Sequence, residues 1–456
     1  MSKVATNSST RVSLRAGTLG AAQAWLDCYE GRSCVVFEVQ DNDNNHGALS
    51  PTDSETLECA ANAALARRIP LVGYMASSGA DVDSGIAATV GWGRLAKAVV
   101  QCSGQVPIIF CATGPAVSGP ALLLGLADIA ITTEASYAFV TGPRMVAQFT
   151  GEVISNETLG GAAQLARRSG VSAFMVQDQA AAAHLVSTLL NLLPANADEL
   201  PPHRDTLDPA KRPTPELRDL LPTSALGSYD VRDVARTVAD ENDLLEYKAD
   251  WATNLVCAFA TVAGRPVGIL ANQPQSLAGT LDIACSQKGA RFVSFCDAFN
   301  LPLITFVDTS GFQPGKDLEW RGIIRHGAQL AFAYARATVP RINVTLRKSY
   351  GGAYIVMDSR PMGNDIALAW PSAEIAVMGA RGAVGILHRQ ATPKERQDLE
   401  NNYEKRYLNP YIAAERGSID AVIDPAQTRI EIAAALEILE SKREALPHRR
   451  HDNTPL

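Results

Sequence analysis

The sequence predicts an α/β protein built from two copies of one unit, and three observations support this. Segments of the first half recur in the second half at a constant spacing of about 233 residues, which is typical of an internal duplication. The predicted strands are continuous apolar or β-branched runs, as expected of strands that are covered on both faces. Helix-like stretches separate them and would supply the crossover connections that parallel strands require.

The elements of the two copies match in order along the chain. A strand follows a proline and ends in a glycine-bearing turn, and a helix-like segment, a second strand and a second glycine turn come next. The predicted crossover helices include residues 91–103 and 323–338. The matched pairs are "GRSCVVFEVQ" (31–40) with "GRPVGILANQ" (264–273), "IPLVGYMASSG" (69–79) with "LPLITFVDTSG" (301–311), and "VPIIFCATGPAVSG" (106–119) with "VPRINVTLRKSYGG" (339–352).

A proline-rich stretch divides the two copies. Residues 194–228 contain seven of the chain's 25 prolines and few large apolar side chains, so they cannot sustain a helix or a sheet ladder for long. We therefore expect an N-terminal domain at 1–193, a linker at 194–228 and a C-terminal domain at 229–456. A helical tail is predicted over the periodic segment 427–445.

Composition argues against several classes of function. Charged residues are 20% of the chain and the net charge is −7, so no basic surface for nucleic acid is expected. The apolar run "PALLLGLA" (120–127) is far shorter than the roughly 20 residues of a membrane span. The eight cysteines include no C-x-x-C pair and no histidine at ligand spacing. We therefore expect no metal site, and buried reduced thiols in a cytoplasmic protein.

Glycine turns mark the candidate site. Ser118 and Gly119 follow one predicted strand, and Gly351, Gly352 and Ala353 follow its counterpart in the second copy. Small residues at a helix start leave main-chain N–H groups open to a ligand, and an oxyanion hole made of amides needs this lack of side-chain bulk. The alternative is that the glycines only allow helix and strand to pack closely.

Longer motifs resemble the carboxyltransferase β subunit of biotin-dependent acyl-CoA carboxylases. The similarity covers about residues 31 to 430, and the motifs of the second half are the longest and most specific. The segments that carry it are "DTSGFQPG" (308–315), "RHGAQL" (325–330), "RKSYGGAYIVMDS" (347–359), "LAWPSAEIAVMGARGAVGILHR" (368–389), "GSIDAVIDP" (417–425), "ASYAFVTGP" (135–143), "TGEVISNETLGGA" (150–162) and "SGV" (169–171).

The resemblance implies two tandem crotonase-like domains and a hexamer, a trimer of dimers, in which acyl-CoA binds mainly to one subunit's N half and carboxybiotin to the other's C half. In the implied reaction CO2 leaves carboxybiotin, the ureido nitrogen takes the substrate's α-proton and the thioester enolate attacks CO2. No side-chain base is required, so we expect His326 and His388 to form structural hydrogen bonds. No biotinylation sequence is evident, so a separate α subunit would bear biotin carboxylase and the biotin carrier.

The matched motifs also imply residue roles. Ser118 and Gly119 would hold the thioester enolate, and Gly352 and Ala353 would hold the biotin ureido oxygen. The further contacts implied by the resemblance are Gly79, Ala80 and Ile355 for the acyl-CoA, and Gly311, Phe312, Gly315, Gly351 and Tyr354 for biotin. For the aromatic ring of "SGFQPG", packing inside the core is the competing interpretation.

Three departures from the family pattern lie on the presumed acyl-CoA side. His46 and Gly47 stand where a glycine pair is usual, "SSGAD" replaces "SGGAR", and Ser118 stands where glycine is common. The second change puts Asp81 in place of an arginine. A carboxylate near a phosphate-bearing ligand would reverse a local electrostatic contribution if that position faces the ligand.

Three functions remain open at this point. The first is a carboxyltransferase subunit of an acyl-CoA carboxylase, which moves a carboxyl group from carboxybiotin to the α carbon of an acyl-CoA. The second is a biotin-independent crotonase-type decarboxylase of malonyl thioesters, which needs only the enolate hole. The third is a non-catalytic subunit that holds a carboxylase complex together. The sequence does not name the acyl group or the pathway.

Overall fold

The computed structural model describes residues 11–15, 20–41, 45–222, 224, 227–448 and 450–455. The chain divides into two compact units, one up to Pro202 and one from His203 onward. This division falls inside the predicted linker, of which residues 223, 225 and 226 lie outside the described part, as do residues 1–10 of the predicted N-terminal domain. The two units are described separately.

The first unit contains an eight-stranded sheet in the order β1-β2-β3-β4-β5-β6-β8, with β7 paired to β5. The β1/β2 and β2/β3 pairs are antiparallel and the other pairs are parallel. The strands are β1 Val12–Ser13, β2 Ala22–Tyr29, β3 Arg32–Val39, β4 Leu71–Ser77, β5 Ile108–Val117, β6 Ile129–Thr133, β7 Tyr137–Phe139 and β8 Phe174–Val176. All seven residues of β4 are buried, as the continuous apolar run predicts.

Helices connect these strands and cover the sheet. They are α1 Pro51–Arg67, α2 Ile86–Cys102, α3 Gly119–Leu126, α4 Pro143–Thr150, α5 Asn156–Gly160, α6 Ala162–Gln164 and α7 Gln179–Leu192. A capping box formed by Ser50 and Asp53 fixes the start of α1. The core combines apolar side chains of the strands with those of α1 and α2, including Phe37, Leu57 and Leu95. The predicted helix at 91–103 corresponds to α2.

The second unit repeats this plan with a sheet in the order β16-β14-β13-β12-β11-β10-β9, where β15 pairs with β13. The β9/β10 and β10/β11 pairs are antiparallel and the other pairs are parallel. The strands are β9 Leu245–Tyr247, β10 Leu255–Val262, β11 Arg265–Asn272, β12 Leu303–Thr309, β13 Arg341–Tyr350, β14 Ile366–Ala369, β15 Glu374–Ala376 and β16 Ala421–Val422. The predicted duplication is therefore confirmed strand by strand for β3–β5 and β11–β13.

The helices of the second unit are α8 Val231–Val238, α9 Ile283–Ala298, α10 Lys316–Trp320, α11 Ile323–Arg336, α12 Gly351–Val356, α13 Ala380–Leu387, α14 Pro393–Tyr407, α15 Pro410–Glu415 and α16 Thr428–Leu439. The helix predicted at 427–445 was too long, because the chain leaves α16 after Leu439. Beyond that point the Lys442 ammonium bonds the carbonyl of Val339 and the carboxylate of Asp365, which fixes a non-helical path.

Both sheets carry an irregularity at the same place. The β4/β5 pairing shifts register between Met75 and Ser77, and the β12/β13 pairing shifts between Val307 and Thr309. A bulge bends a strand and re-aims the residues that follow it. The glycine turns come directly after these shifts in each unit.

Two further expectations can be compared with the structure. Six of the eight cysteines are buried, but Cys28 is exposed and Cys59 is half-buried, so the expectation of uniformly buried thiols was wrong. Cys28 lies on β2, next to the turn of an antiparallel hairpin that faces solvent. Over the described ranges, no helix combines the length and the apolar character needed to cross a bilayer.

Candidate functional site

In the first unit, two glycine turns lie side by side. Gly79 and Ala80 follow β4, and Ser118 and Gly119 link β5 to α3. A Cβ built on Gly79 would lie 3.4 Å from the Val117 carbonyl oxygen and 3.9 Å from Ser118 Cβ, so the turns are neighbours. Gly79 has φ of +119°, which strains any L side chain.

The backbone around Ala80 leaves one amide available. Leu49 pairs with this turn, donating its N–H to the Gly79 carbonyl at 2.7 Å and accepting from the Asp81 N–H at 3.0 Å. The Ala80 amide between these two bonds has no acceptor among the described residues. Gly119 is the first residue of α3, where N–H groups lack an intrahelical acceptor. Ala80 and Gly119 thus supply two main-chain donors at neighbouring turns.

Ser118 does not supply the amide that was predicted for it. Its N–H donates to the carbonyl of Phe139 at 2.9 Å, because the ladder between β5 and β7 continues one residue past β5. Ser118 has φ of +62° and is exposed. The donor pair of the first unit is therefore Ala80 and Gly119, and Ser118 borders it.

These turns line a cavity of about 220 Å³. Ala80, Ser118 and Gly119 form part of its wall, and apolar Leu49, Ala88 and Leu122 form another part. None of the described residues that line it carries an ionisable side chain. Stabilisation of a negative oxygen in this cavity would fall to dipoles rather than to charged groups.

The second unit repeats the arrangement around Phe312. Leu281 donates to the Gly311 carbonyl at 3.0 Å and accepts from the Gln313 N–H at 2.8 Å. The Phe312 amide between these bonds, like that of Ala80, finds no acceptor within the part of the chain that the structure describes. Gly352 and Ala353 lie in the first turn of α12, whose N–H groups also lack intrahelical acceptors.

The space at Gly352 is open. A Cβ there would lie 3.6 Å from the Phe312 ring, an ordinary van der Waals contact, so packing within the chain does not require glycine. Gly351 differs, because its φ is +55° and a Cβ would come within 2.9 Å of the Val377 carbonyl oxygen. The alternative that the glycines serve packing alone holds for Gly351 and fails for Gly352. The exposed backbone at Gly352 is accessible to a ligand.

Phe312 is held by packing as well as placed at the turn. Its half-buried ring lies against Gly327 of α11, where a Cβ would come within 2.9 Å of it, and against Gly352. Gly315 and Ile355 are exposed, the latter by 37%, and Tyr354 is half-buried. Burial raises the pKa of the Tyr354 phenol, which therefore stays neutral. The packing against Gly327 supports the interpretation of Phe312 as a packed ring, and its contact with biotin stays a prediction.

Buried polar groups fix the strand ends that carry these turns. Asp308 on β12 accepts from Arg347 Nε at 3.0 Å and from the Lys348 amide at 3.1 Å, both on β13. Burial raises the pKa of Asp308, and Arg347 opposes that rise. The Arg347 guanidinium also lies 5.4 Å from the ring centre of Tyr229. These contacts hold β12 and β13 together beyond the register shift.

The departures noted in the sequence have local structural roles. The Asp81 carboxylate accepts from Ser84 Oγ at 2.5 Å and from the Asp83 amide at 3.2 Å, so it stabilises the turn before α2. His46 is exposed, with Nδ1 3.3 Å from Asp41 Oδ1. His326 lies 3.2 Å from Gln287 and 3.1 Å from Gln329, which agrees with the structural role expected for it.

Sequence reasoning missed several residues that line the first cavity, among them Leu49 and Trp92. Leu49 precedes Ala80 by 31 residues and reaches the turn through an isolated bridge to it. Trp92 lies inside the predicted crossover helix and lines the cavity. The tryptophan in the first half of the predicted crossover helix is visible in the sequence. Its contact with Gly119 cannot be predicted from residue spacing.

Comparison with known proteins shows the family to which the chain belongs. Residues 28–454 match the family model described as the carboxyl transferase domain. The chain is 43% identical to the methylmalonyl-CoA carboxyltransferase 12S subunit of Propionibacterium freudenreichii subsp. shermanii, over 90% of this chain and 79% of that protein. It is 42% identical to the propionyl-CoA carboxylase beta chain of Saccharopolyspora erythraea, over 96% of this chain and 83% of that protein.

A solved structure of the transcarboxylase 12S hexamer, with methylmalonyl-coenzyme A and methylmalonic acid bound, has a TM-score of 0.94 and 42% identity, covering 96% of this chain and 85% of that one. A single-chain, multi-domain long-chain acyl-CoA carboxylase has a TM-score of 0.78 at 26% identity and covers 91% of this chain and 42% of that one.

The fold and paired amide turns define a crotonase-like enzyme with two tandem domains. The chain belongs to the carboxyl transferase family, and it is a carboxyltransferase subunit of the acyl-CoA carboxylase type. The predictions of fold class, family and general activity are thereby confirmed.

Proposed function

We propose that this chain moves a carboxyl group from carboxybiotin, carried on a separate α subunit, to the α carbon of a short acyl-CoA. Propionyl-CoA is the first substrate to test, because relatives at 40% identity or more are named for it. The observation that carries the proposal is the repeated donor pair, Ala80 with Gly119 in the first unit and Phe312 with Gly352 in the second.

In the first unit, the Ala80 and Gly119 amides would receive the thioester oxygen. Loss of the α-proton turns the thioester into an enolate, and two fixed N–H donors stabilise the charge that develops on its oxygen. Ser118 would border this site, and Gly79 would keep the Ala80 turn in its strained conformation. Removal of one such donor typically costs about 3 to 4 kcal/mol of transition-state stabilisation.

In the second unit, the helix-start amides of Gly352 and Ala353 and the Phe312 amide would hold the biotin ureido oxygen. The open space at Gly352 fits a ring that approaches the backbone closely. When bound, carboxybiotin supplies CO2 and a basic ureido nitrogen. Gly311 and Gly351 would shape this turn, and the flat ring would lie beside Phe312, exposed Gly315 and Tyr354.

Ile355 would face the acyl end of the substrate. It is 37% exposed at the end of the Gly351–Val356 helix, and an apolar side chain there suits a hydrocarbon acyl chain. This assignment sets no acyl length. A series of acetyl-, propionyl- and butyryl-CoA compared in wild type and in Ile355→Asp would measure it, with the variant expected to lose most activity on the longest chain.

The partners follow from the same proposal. We expect a hexamer, since the similar 12S protein is described as one, and a biotinylated α subunit bound to it. All eight cysteines are free thiols, which supports a reducing compartment such as the cytoplasm. Size-exclusion chromatography with light scattering, followed by copurification with a biotinylated chain, would test both.

The decisive assay is reverse transfer from methylmalonyl-CoA to free biotin, which needs no α subunit. We expect carboxybiotin formation by wild type and a rate lower by about 100-fold or more in Gly352→Val. Release of CO2 without biotin would select the malonyl-thioester decarboxylase instead. Absence of both reactions from a correctly assembled hexamer would indicate the non-catalytic subunit, which the Asp81 and Ser118 departures would then explain.

A further inference from the structure

The first cavity contains a buried donor that the proposed chemistry does not yet use. Trp92 lies on α2, and its ring lines the 220 Å³ cavity together with Ala80, Ser118 and Gly119. The indole nitrogen, Nε1, is buried and has no hydrogen-bond partner among the described residues. Most buried N–H groups in native proteins are paired, so this one requires an explanation.

The indole ring of Trp92 lies against Gly119, one of the two residues of the amide pair. A Cβ at Gly119 would overlap both Nε1 and Cδ1 of Trp92, so the pyrrole edge of the indole lies against the first residue of α3. Gly119, whose amide lies at the start of α3, also lines the cavity. The indole N–H and one amide donor therefore lie at the same corner of the cavity.

Packing alone does not account for tryptophan here. Phenylalanine would fill a half-buried apolar position on α2 without bringing a donor that must lose its hydration. Burial of an unpaired N–H is unfavourable, whereas the same group is favourable once an acceptor arrives. A hydrogen-bond acceptor on the bound ligand would pair the indole N–H and remove this unfavourable contribution.

We propose that Trp92 Nε1 is a third hydrogen-bond donor to the thioester oxygen of the bound acyl-CoA, beside the Ala80 and Gly119 amides. This inference rests on the proposed function of the first unit. Nε1 lies against Gly119, so this contact requires the half-exposed indole to turn toward the oxygen when it enters.

The chemistry favours the transition state over the ground state. The thioester oxygen carries little charge before the α-proton leaves and a full negative charge in the enolate. The described lining of the cavity has no ionisable side chain. A hydrogen bond from a neutral N–H is therefore stronger to the enolate oxygen than to the thioester oxygen. Loss of the donor should therefore lower kcat more than it raises KM.

The test compares Trp92→Phe with wild type. In reverse transfer from methylmalonyl-CoA to biotin, we expect kcat to fall about 100- to 1,000-fold with a smaller change in KM. Trp25→Phe is the matched control, because the indole N–H of Trp25 is already paired with Asp27 at 2.9 Å. It should keep wild-type kinetics.

Binding provides a second readout that does not depend on turnover. Propionyl-CoA has the thioester oxygen and S-propyl-CoA lacks it, so Trp92→Phe should weaken the first ligand severalfold and leave the second unchanged. Equal weakening of both ligands, or wild-type kcat in Trp92→Phe, would overturn the proposal. A third outcome separates the two proposals. If Trp92→Phe weakens the binding of propionyl-CoA but not of S-propyl-CoA, and wild type transfers no carboxyl group, the proposed function fails and the Trp92 contact stands.

A crystal structure of wild type with propionyl-CoA removes any dependence on how the variant folds. We expect Nε1 within about 3.2 Å of the thioester oxygen. An indole that stays against Gly119, with the oxygen held by the amides alone, would refute the third donor.

Discussion

Arg341 and Asp358 form a fully buried ion pair in the second unit, with 3.0 Å between Arg341 Nη1 and Asp358 Oδ1. Asp358 follows the helix Gly351–Val356 by two residues, and the Asn343 side chain donates to the Met357 carbonyl between them. Arg341 also donates to the carbonyl of Tyr334. The far end of the helix that presents Gly352 is thus fixed to the first residue of β13.

Substitution Asp358→Asn should destabilise the protein by about 3 to 5 kcal/mol, because the buried Arg341 loses its counter-charge. Burial raises the pKa of Asp358 to about 6, so the carboxylate is ionised at pH 7. Urea denaturation at pH 7 measures the effect. The control is Asp317→Asn, which breaks an exposed i,i+4 pair with Arg321 and should change the midpoint little. Equal losses of unfolding free energy in the two variants would contradict a stabilising role of the Arg341–Asp358 ion pair.

Substitution Gly352→Ala should separate function from packing. The added methyl group fits within the chain, 3.6 Å from Phe312, and alanine favours a helix, so stability should be unchanged or slightly higher. Carboxyl transfer to biotin should fall, and Gly352→Val should lower it by about 100-fold or more, since the side chain blocks the amides. Thermal unfolding and the reverse-transfer assay give the two readouts.

The control for that series is Gly385→Val in α13, where a Cβ would meet no neighbour within 4 Å. It should leave transfer at the wild-type rate. Loss of stability in Gly352→Ala, with activity lost only in proportion, would mean that the glycine serves packing after all.

Substitution Gly119→Ala should behave differently, because its Cβ overlaps the Trp92 indole. We expect a loss of about 1 to 3 kcal/mol in unfolding free energy from overpacking. In a Trp92→Ala background the ring is gone, so the same substitution should cost much less. A double-mutant cycle by urea denaturation measures this coupling. An identical cost in both backgrounds would place the strain elsewhere than at the indole.

Much of the fold was predictable because its signals are local. The predicted strands "LVGYMAS" (71–77), "PIIFCAT" (107–113), "LITFVDT" (303–309) and "INVTLR" (342–347) coincide with or overlap β4, β5, β12 and β13, and "SYGGAYIV" became a strand end followed by a helix start. Gly352 could be chosen from sequence because strand, small residues and helix are contiguous. The register shifts could not, since they depend on how neighbouring strands pair.

The site residues that were not predicted correctly also depend on tertiary packing. Ser118 was assigned a role in holding the enolate because the matched motif implies it, but β7 pairs with β5 and the Phe139 carbonyl accepts from that amide. Trp92 and Leu49 reach the cavity through tertiary packing, which periodicity does not encode. Asp81 was flagged for its charge, whereas its bonds to Ser84 and Asp83 show a local role in a turn.

Lys248 gives a prediction about pH. Burial, and then repulsion from Arg291 and Lys288, lowers the pKa of this ammonium to about 8, although it lies 5.3 Å from the ring centre of Trp251. The unfolded chain keeps the ordinary value near 10.5 and so binds more protons between pH 8 and 10.5. Below pH 8 the charged, half-buried lysine is therefore unfavourable, and this cost disappears as the pH rises through that range.

Substitution Lys248→Met should accordingly stabilise the protein at pH 7, by on the order of 3 kcal/mol before any loss of cation–π contact. The advantage over wild type should shrink steadily between pH 8 and 10.5, because wild type then recovers the cost by losing its proton. Urea denaturation of both proteins at half-unit pH intervals measures the difference, which cancels the titration of all other groups. A difference that stays constant with pH would show that Lys248 titrates normally in the folded chain.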